Sequence, residues 1–270
     1  RADGSIILPN GFLVVDKPID WTSFDVVGKI RNTLERFYRQ AGHKFGRRSR
    51  LKVGHGGTLD PLATGLLVIG VGNGCKELGT YMSGAKSYVA RAQLGVETDT
   101  QDSQGETIAT SGFEHVSLEA LEAAAGPLRG DIMQRPPIYS ALRKNGVRMY
   151  ELARAGKIEE KDMEARPVTV HELRIDSFDG SNGEFELSVS CSGGTYIRSL
   201  IVDMARGADS TAHMTGLKRT SHGPFTVDAD GQGEMRPVTI DEFDDPARLL
   251  EAMASAREML ARCPPDSGEA

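Results

Sequence analysis

Apolar and polar positions along the chain fall into two rhythms. The run Gly11-Phe12-Leu13-Val14-Val15-Asp16 is apolar without a break, stops at Lys17-Pro18, and predicts a first strand. Thr22, followed three positions later by Asp25, has the spacing of a capping box and predicts a helix start. Val26, Val27, Ile30, Leu34, Phe37 and Ala41 continue it at helical intervals. Leu66-Leu67-Val68-Ile69-Gly70-Val71 reads as a buried strand, and Ser87–Leu94 alternates with Tyr88, Ala90, Ala92 and Leu94 on one face. Ser117 caps a helix through Ala125, closed by Gly126-Pro127. Val168–Phe178 and Glu184–Cys191 read as strands, the second with Phe185, Leu187, Val189 and Cys191 on one side. Tyr196–Arg206, Ser210–Arg219 and Leu249–Leu260 read as helices. Between them lie a basic loop from Gly42 to Arg50, a polar loop from Thr98 to Gly112, and residues 136–160, a mobile turn with a short helix. The last eight residues read as disordered. Strands scattered among helices without strict alternation predict an α+β fold, and no internal repeat or low-complexity tract interrupts it.

Composition narrows the class. With 270 residues, 39% hydrophobic and 26% charged, the chain is ordinary globular protein in one large or two modest domains. No run of about 18 apolar residues occurs, so no membrane helix is expected, and the start has no signal-peptide pattern. Cys75, Cys191 and Cys263 are odd in number and far apart, with neither zinc spacing nor a disulfide framework. A reduced intracellular compartment follows as the default, with nucleus, cytoplasm and mitochondrion all open. The net charge of −6 opposes a simple nucleic-acid binder, but the charge is unevenly spread. From Lys29 to His55 nine basic residues face Glu35 alone; from Asp228 to the end eleven acidic residues face four arginines. Phosphate binding needs a local basic surface, and the first of these stretches supplies one.

The most informative segment is Gly54-His55-Gly56-Gly57-Thr58-Leu59-Asp60-Pro61-Leu62-Ala63-Thr64-Gly65. Glycines permit positive φ and close backbone approach, and Pro61 pushes Asp60 out of the α region. One carboxylate is thereby presented on a turn beside a core strand. Taken alone, such a turn is as readily structural, with the aspartate bonded to nearby backbone.

The segment belongs to a longer series. Asp16-Lys17-Pro18, Gly84-Ala85-Lys86-Ser87-Tyr88, Leu94-Gly95 with Thr98-Asp99-Thr100 and Asp102, and Gln134-x-Pro136-Pro137-x-Tyr139-Ser140-Ala141-Leu142 accompany it in order. Arg166-Pro167-Val168, Cys191-Ser192-Gly193-Gly194-Thr195-Tyr196-Ile197-Arg198-Ser199-Leu200, and Leu217-Lys218-Arg219-Thr220 with Gly223-x-Phe225 complete it. In this series, over roughly residues 11–227, the chain resembles the TruB-type tRNA pseudouridine synthases. The resemblance implies a pseudouridine-synthase core: a mixed, mostly antiparallel sheet crossed by an active-site cleft, with flanking helices. It implies isomerisation of the T-arm uridine at position 55 of tRNA by base flipping, with no cofactor or metal. A catalytic domain over 11–227 would carry an RNA-gripping insertion at 136–160, followed by an acidic helical extension at 228–262. About 45 residues follow Phe225, too few for the PUA domain of bacterial members. With its long basic loop, the chain is more similar to the single-domain eukaryotic branch than to guide-RNA-dependent relatives.

Roles carried over by the resemblance fall on particular residues. Asp60 is the nucleophile. Tyr88 stacks on the target base, although without the resemblance it is an ordinary strand-face tyrosine. Arg198 pairs with Asp60 and keeps it ionised; alone it would read as an exposed helix arginine. Tyr196 lines the site or packs in the core. Leu217 packs on the flipped base, and His55 fills the gap that the base leaves. Lys17 meets phosphate or supports the pocket floor. Lys44, Arg47, Arg48, Arg50 and Lys52 before the Asp60 turn, and Arg143, Lys144 and Arg148 in the insertion, are expected phosphate contacts. The expected partner is the tRNA T-arm stem-loop, with T-loop-like mRNA hairpins as further substrates, and neither a membrane nor an obligate protein partner. Two other readings remain: a non-catalytic tRNA chaperone of the T-arm, and a nucleotide or sugar hydrolase. The hydrolase lacks a second carboxylate at convincing spacing.

Overall fold

The computed structural model describes residues 6–144, 146–227 and 236–262. Cys263 and the rest of the tail expected to be disordered lie outside the described residues. In chain order the elements are β1 (Gly11–Lys17), α1 (Ser23–Gln40), β2 (Val53–His55), β3 (Ala63–Val71), α2 (Leu78–Ser83), β4 (Lys86–Leu94), β5 (Val96–Thr98), β6 (Thr107–Thr110) and α3 (Leu118–Ala125). There follow β7 (Gly130–Gln134), β8 (Arg143–Lys144), β9 (Val147–Arg148), α4 (Met149–Arg154), β10 (Arg166–Asp179), β11 (Glu184–Cys191), α5 (Ile197–Gly207), β12 (Ala212–His222), β13 (Phe225–Thr226) and α6 (Pro246–Arg262). The chain forms two compact units, one up to Lys86 and again from Lys218, the other from Ser87 to Leu217.

In the first unit β3 is the central strand. It is buried along nearly its whole length and pairs antiparallel with β1 and β2. Thr22 caps α1 through a complete capping box with Asp25, as its spacing predicts. Val26, Val27, Ile30 and Leu34 are buried. The buried stripe then runs through Tyr38, four residues after Leu34, and leaves Phe37 37% exposed with Ala41 at the exposed C-cap. The expected continuation through Phe37 and Ala41 is therefore corrected. Between β1, β3 and α2 lies a core of Phe12, Val14, Leu66, Val68, Leu78 and Tyr81, joined by Phe225, Val227 and Ala256. The acidic C-terminal stretch contributes to this unit: Val238 exchanges backbone hydrogen bonds with Val14 and Asp16, and α6 packs on β1.

In the second unit β4, β11, β10 and β7 lie side by side in that order. β7–β10 and β10–β11 are antiparallel, as are the hairpins β5–β6 and β8–β9. On β4, the alternation of Tyr88, Ala90, Ala92 and Leu94 is the buried face. The architecture is α+β with mostly antiparallel pairing. Three readings of the sequence change. Ser210–Arg219 is not a helix, because β12 occupies Ala212–His222 and buries Ala212 and Met214 at strand period. Its Ala, Met and Leu favour helix in isolation, and sheet context overrides that weak preference. Thr98–Gly112 is not a plain loop, because Val96–Thr98 pairs with Thr107–Thr110 around a turn that buries Thr98, Gln101 and Asp102. Residues 136–160 include the hairpin β8–β9 as well as the short helix α4. They fold around Met149 and Ile158, with Met163, Ile138, Leu142 and Leu152.

Gly65 tests how tightly the first unit is packed. Its φ is +95°, and a Cβ there would lie 2.3 Å from the carbonyl oxygen of Arg219. Both strain and backbone overlap oppose any side chain. Gly65→Ala is expected to cost about 3 kcal/mol or more, lowering Tm in thermal unfolding by about 6–12 °C. Gly28→Ala, where an added Cβ meets nothing within 4 Å in the middle of α1, is expected to hold Tm or raise it slightly.

Candidate active site

The Asp60 turn is held by side chains that catch its backbone. Ser23, at the start of α1, accepts a hydrogen bond from the Leu59 N–H at 2.9 Å and donates to the Leu59 carbonyl at 3.3 Å. Lys17, at the end of β1, is completely buried, and its ammonium donates to the carbonyls of Pro18 (2.8 Å), Trp21 (2.6 Å) and Pro61 (3.2 Å). Arg219 on β12 is 1% exposed and donates to the carbonyls of Leu66 at 2.6 Å and Gly57 at 3.2 Å. The Asp16 carboxylate accepts the Gly65 N–H at 3.0 Å. A buried polar group costs free energy unless it is hydrogen-bonded, and here the buried cations and the carbonyls around the turn satisfy one another. Asp60 itself is half-buried.

Electrostatics follow from that burial. Desolvation is the largest influence on Lys17 and pushes its pKa down to about 8, against the opposing charges of Asp60, Asp20, Asp16 and Asp25. Lys17 is no surface lysine: its buried ammonium is taken up by three backbone carbonyls.

Beside the turn, Lys86 donates to the carbonyls of Tyr81 (2.9 Å), Met82 (3.1 Å) and Gly84 (2.6 Å), closing the C-terminal end of α2. His222 is fully buried and donates from Nε2 to the Tyr81 carbonyl at 3.0 Å. Burial first, then the cations of Arg219 and Lys86, push its pKa down to about 2, so the imidazole stays neutral. A Cβ on Gly57 would meet both His222 and Lys86 at about 3.5 Å. His55 is half-buried, with the Phe24 ring edge-on at 5.3 Å.

The remaining expected pocket residues stand on the second unit. Tyr88 is buried on β4, Leu217 is half-buried on β12, and Tyr196 is the N-cap residue of α5. Arg198 is buried, not an exposed helix arginine. Its guanidinium donates to the carbonyls of Tyr139 (3.0 Å) and Thr100, with Asp102 at 3.9 Å.

The basic residues separate in the same way. Lys44, Arg47, Arg48, Arg50 and Lys52 are exposed on the first unit. Arg47, Arg48, Arg50, Lys52 and Arg31 line one cleft of about 620 Å³. Beneath them Glu35 is completely buried and accepts from Arg39 (2.9 Å), from Arg50 (3.1 Å, through two nitrogens) and from the Leu51 N–H (3.0 Å). Burial opposes its charge, but those bonds and the charges of Arg50 and Arg39 outweigh it and hold the carboxyl below its ordinary range. On the second unit Arg143 and Lys144 form β8, and Arg148 closes β9. Arg148 and Arg154 each lie within 6 Å of the Tyr150 ring centre.

Sequence reasoning missed Ser23, Glu35 and His222 as organising residues. Gln134 and Arg219 stood in quoted motifs without a role. Only the abrupt placement of Glu35 within a basic run could have marked it. Among the described residues no three His, Cys, Asp or Glu side chains are grouped to hold a metal, and no helix is long and apolar enough to cross a membrane.

Comparison with known proteins gives this geometry a context. Residues 43–197 match the family model described as TruB family pseudouridylate synthase, N-terminal domain. The chain is 41% identical over 258 residues to tRNA pseudouridine synthase B of Thermobifida fusca, covering 92% of this chain and 80% of that protein. It is 36% identical over 262 residues to pseudouridylate synthase TRUB1 of Homo sapiens, covering 96% and 74%. Among solved structures it is similar in fold to a chain of a Cbf5-Nop10-Gar1 complex, with TM-score 0.61 and 24% identity. That match covers 92% of this chain and 60% of the solved one, so the chain spans about three-fifths of its length.

Lys17 gives this site a pH signature. Its pKa is 10.5 when unperturbed and about 8 when folded. Between those values the unfolded state binds more protons, so this group makes stability rise with pH. Lys17→Met removes the group. The wild-type advantage over Lys17→Met in denaturant unfolding is expected to widen from pH 8 to pH 10 by about 2 kcal/mol. A constant difference would mean that the buried ammonium keeps an ordinary pKa.

Proposed function

Because the chain belongs to the TruB family of pseudouridylate synthases, we propose that it isomerises a uridine of tRNA to pseudouridine, and that the uridine lies in the T-arm. The observation that carries this reading is the Asp60 turn. A half-buried carboxylate stands on backbone pinned by Lys17, Ser23 and Arg219, and its motif resembles the one that carries the family's nucleophilic aspartate. The reaction breaks the N1–C1′ bond, turns the uracil and joins C5 to C1′. The substrate's atoms and electrons are all retained, so no oxidant, reductant or second substrate enters. A uridine stacked in a folded loop is out of reach until it is flipped from the stack.

In this reading Asp60 is the nucleophile toward base or sugar, and Arg198 belongs to the substrate-binding set. Tyr88 stacks on the base. Tyr196 and Leu217 pack around it, and His55 fills the space it vacates. Phosphates meet Lys44, Arg47, Arg48, Arg50 and Lys52 on one unit and Arg143, Lys144 and Arg148 on the other. Recognition is of loop shape and splayed bases more than of duplex sequence, so messenger hairpins that reproduce a T-loop fit the same reading. The substrate places the enzyme inside the cell. Relatives named as synthases support catalysis over the chaperone reading.

Two measurements test the proposal. A synthetic T-arm hairpin is incubated with wild type and with Asp60→Asn, and pseudouridine is mapped by carbodiimide adducts and primer extension. Wild type is expected to convert the loop uridine and Asp60→Asn to convert none, with tRNA affinity within several-fold. Binding without conversion by wild type would favour the chaperone, and loss of binding in Asp60→Asn would give Asp60 a structural role instead. Second, Arg47→Ala and Arg48→Ala are each expected to make the plot of log affinity against log salt shallower by about 0.7–0.9. An unchanged slope would remove the basic cleft from the RNA interface.

A further inference from the structure

Helix α5 begins without a side-chain cap of its own. Gln134, at the end of β7 and only 3% exposed, takes that place. Its carboxamide oxygen accepts from the Tyr196 N–H at 2.8 Å, and its carboxamide nitrogen donates to the Tyr196 carbonyl at 2.9 Å. Two bonds to the peptide groups on either side of one residue copy a hydrogen-bonded β pair. They fix the backbone from which the Tyr196 ring projects. Two residues on, the Arg198 guanidinium is held by the carbonyls of Tyr139 and Thr100. On the next residue the Ser199 hydroxyl donates to the Gln101 side chain at 3.0 Å. Gln134 and Tyr139, five apart, thus hold Tyr196 and Arg198, two apart. Between them Pro136 and Pro137 are buried, and each ring fixes its own φ, so the spacing of the two holds is stiff.

We propose that Gln134 is a positioning residue for the reaction, and that the stem of the 136–160 segment is a bracket for Tyr196 and Arg198. Gln134 acts through the Tyr196 peptide groups and touches no reacting atom. Phosphate contact then belongs to the tip of that segment, where Arg143 and Arg148 stand, and its stem sets the pocket residues. This rests on the assignment of Tyr196 and Arg198 to base binding made above. A bracket with one foot in an RNA-binding segment gives bound RNA a route to the alignment of the pocket.

The test uses Gln134→Met, which keeps the length of the side chain and removes both bonds. Hydrogen exchange is followed at the Tyr196 amide, and single-turnover pseudouridine formation and tRNA affinity are measured on the same protein. The Tyr196 amide is expected to exchange at least about 10-fold faster, with protection of Ile201–Ala205 unchanged. The single-turnover rate is expected to fall about 10–100-fold with affinity within about threefold. In a Tyr196→Ala background the same Gln134 change is expected to cost less than about twofold, because partners acting through one another are not additive. An unchanged Tyr196 amide, a loss confined to affinity, or additive losses in the double variant would each overturn the proposal. Gln134→Asn, one methylene too short to reach both groups, replaces Gln134→Met under the same criteria if the latter does not fold. A wild type that binds tRNA and forms no pseudouridine would overturn the proposed function instead, and the exchange result alone would then decide whether Gln134 fixes Tyr196.

Discussion

The first unit depends on buried cations whose partners are backbone carbonyls. Lys17, Lys86 and Arg219 are all buried, and between them they engage the carbonyls of Pro18, Trp21, Pro61, Tyr81, Met82, Gly84, Leu66 and Gly57. An unpartnered buried ammonium would cost several kcal/mol, and buried carbonyls left short of donors would add to that. Each set satisfies the other. The turn can therefore be short, irregular and well ordered together, and Asp60 remains outside the buried hydrogen-bond network of the Lys17 ammonium.

Glu35 inverts this arrangement at the surface. Here the carboxylate is buried, and its partners include the exposed Arg39 and Arg50. Exposed ion pairs are usually worth less than about 1 kcal/mol because they are screened and must order long side chains. A buried acceptor with a backbone N–H among its donors is already ordered, so the arginines lose less freedom on joining it. The loop is thereby shaped, while Arg47, Arg48 and Lys52 line the same cleft without an acidic neighbour in its lining. The second unit works with weaker charges: a neutral carboxamide fixes Tyr196, and one guanidinium joins two loops.

What the sequence revealed tracks the range of the forces involved. The capping box at Thr22, the alternation on β4 and the strand Leu66–Val71 depend on neighbours a few residues away, and all were legible. Ser210–Arg219 was not, because Ala212, Met214 and Leu217 favour helix locally, and the strand exists only through partners distant in sequence. The hairpin β5–β6 was hidden by polar residues, since its turn buries Thr98, Gln101 and Asp102 by hydrogen bonding. In the site, the motifs that carry the family resemblance marked Asp60, Tyr88, Tyr196 and Arg198 as residues to watch. Gln134 stood in one of those motifs without a role and Ser23 in none, and their hydrogen bonds span 62 and 36 positions and leave no periodicity behind.

That long-range scaffolding bears on how a chain of net charge −6 handles RNA. Binding energy used to order a catalytic loop is lost from affinity, and side chains held in advance avoid that cost. The Asp60 turn is already held by five side-chain contacts to the backbone of Gly57, Leu59, Pro61 and Gly65, so the phosphates need not organise it. Basic charge is concentrated in one cleft of the first unit, while Glu242 and Asp244, just ahead of α6, are taken up by Arg236, Arg248, Lys29 and Arg36. Local field governs such an encounter more than net charge, because at physiological salt a charge beyond about 8 Å is largely screened. An acidic protein with a basic cleft can therefore hold a polyanion where it is needed and repel it elsewhere, a condition for releasing a product that differs from its substrate only in which uracil atom joins the ribose.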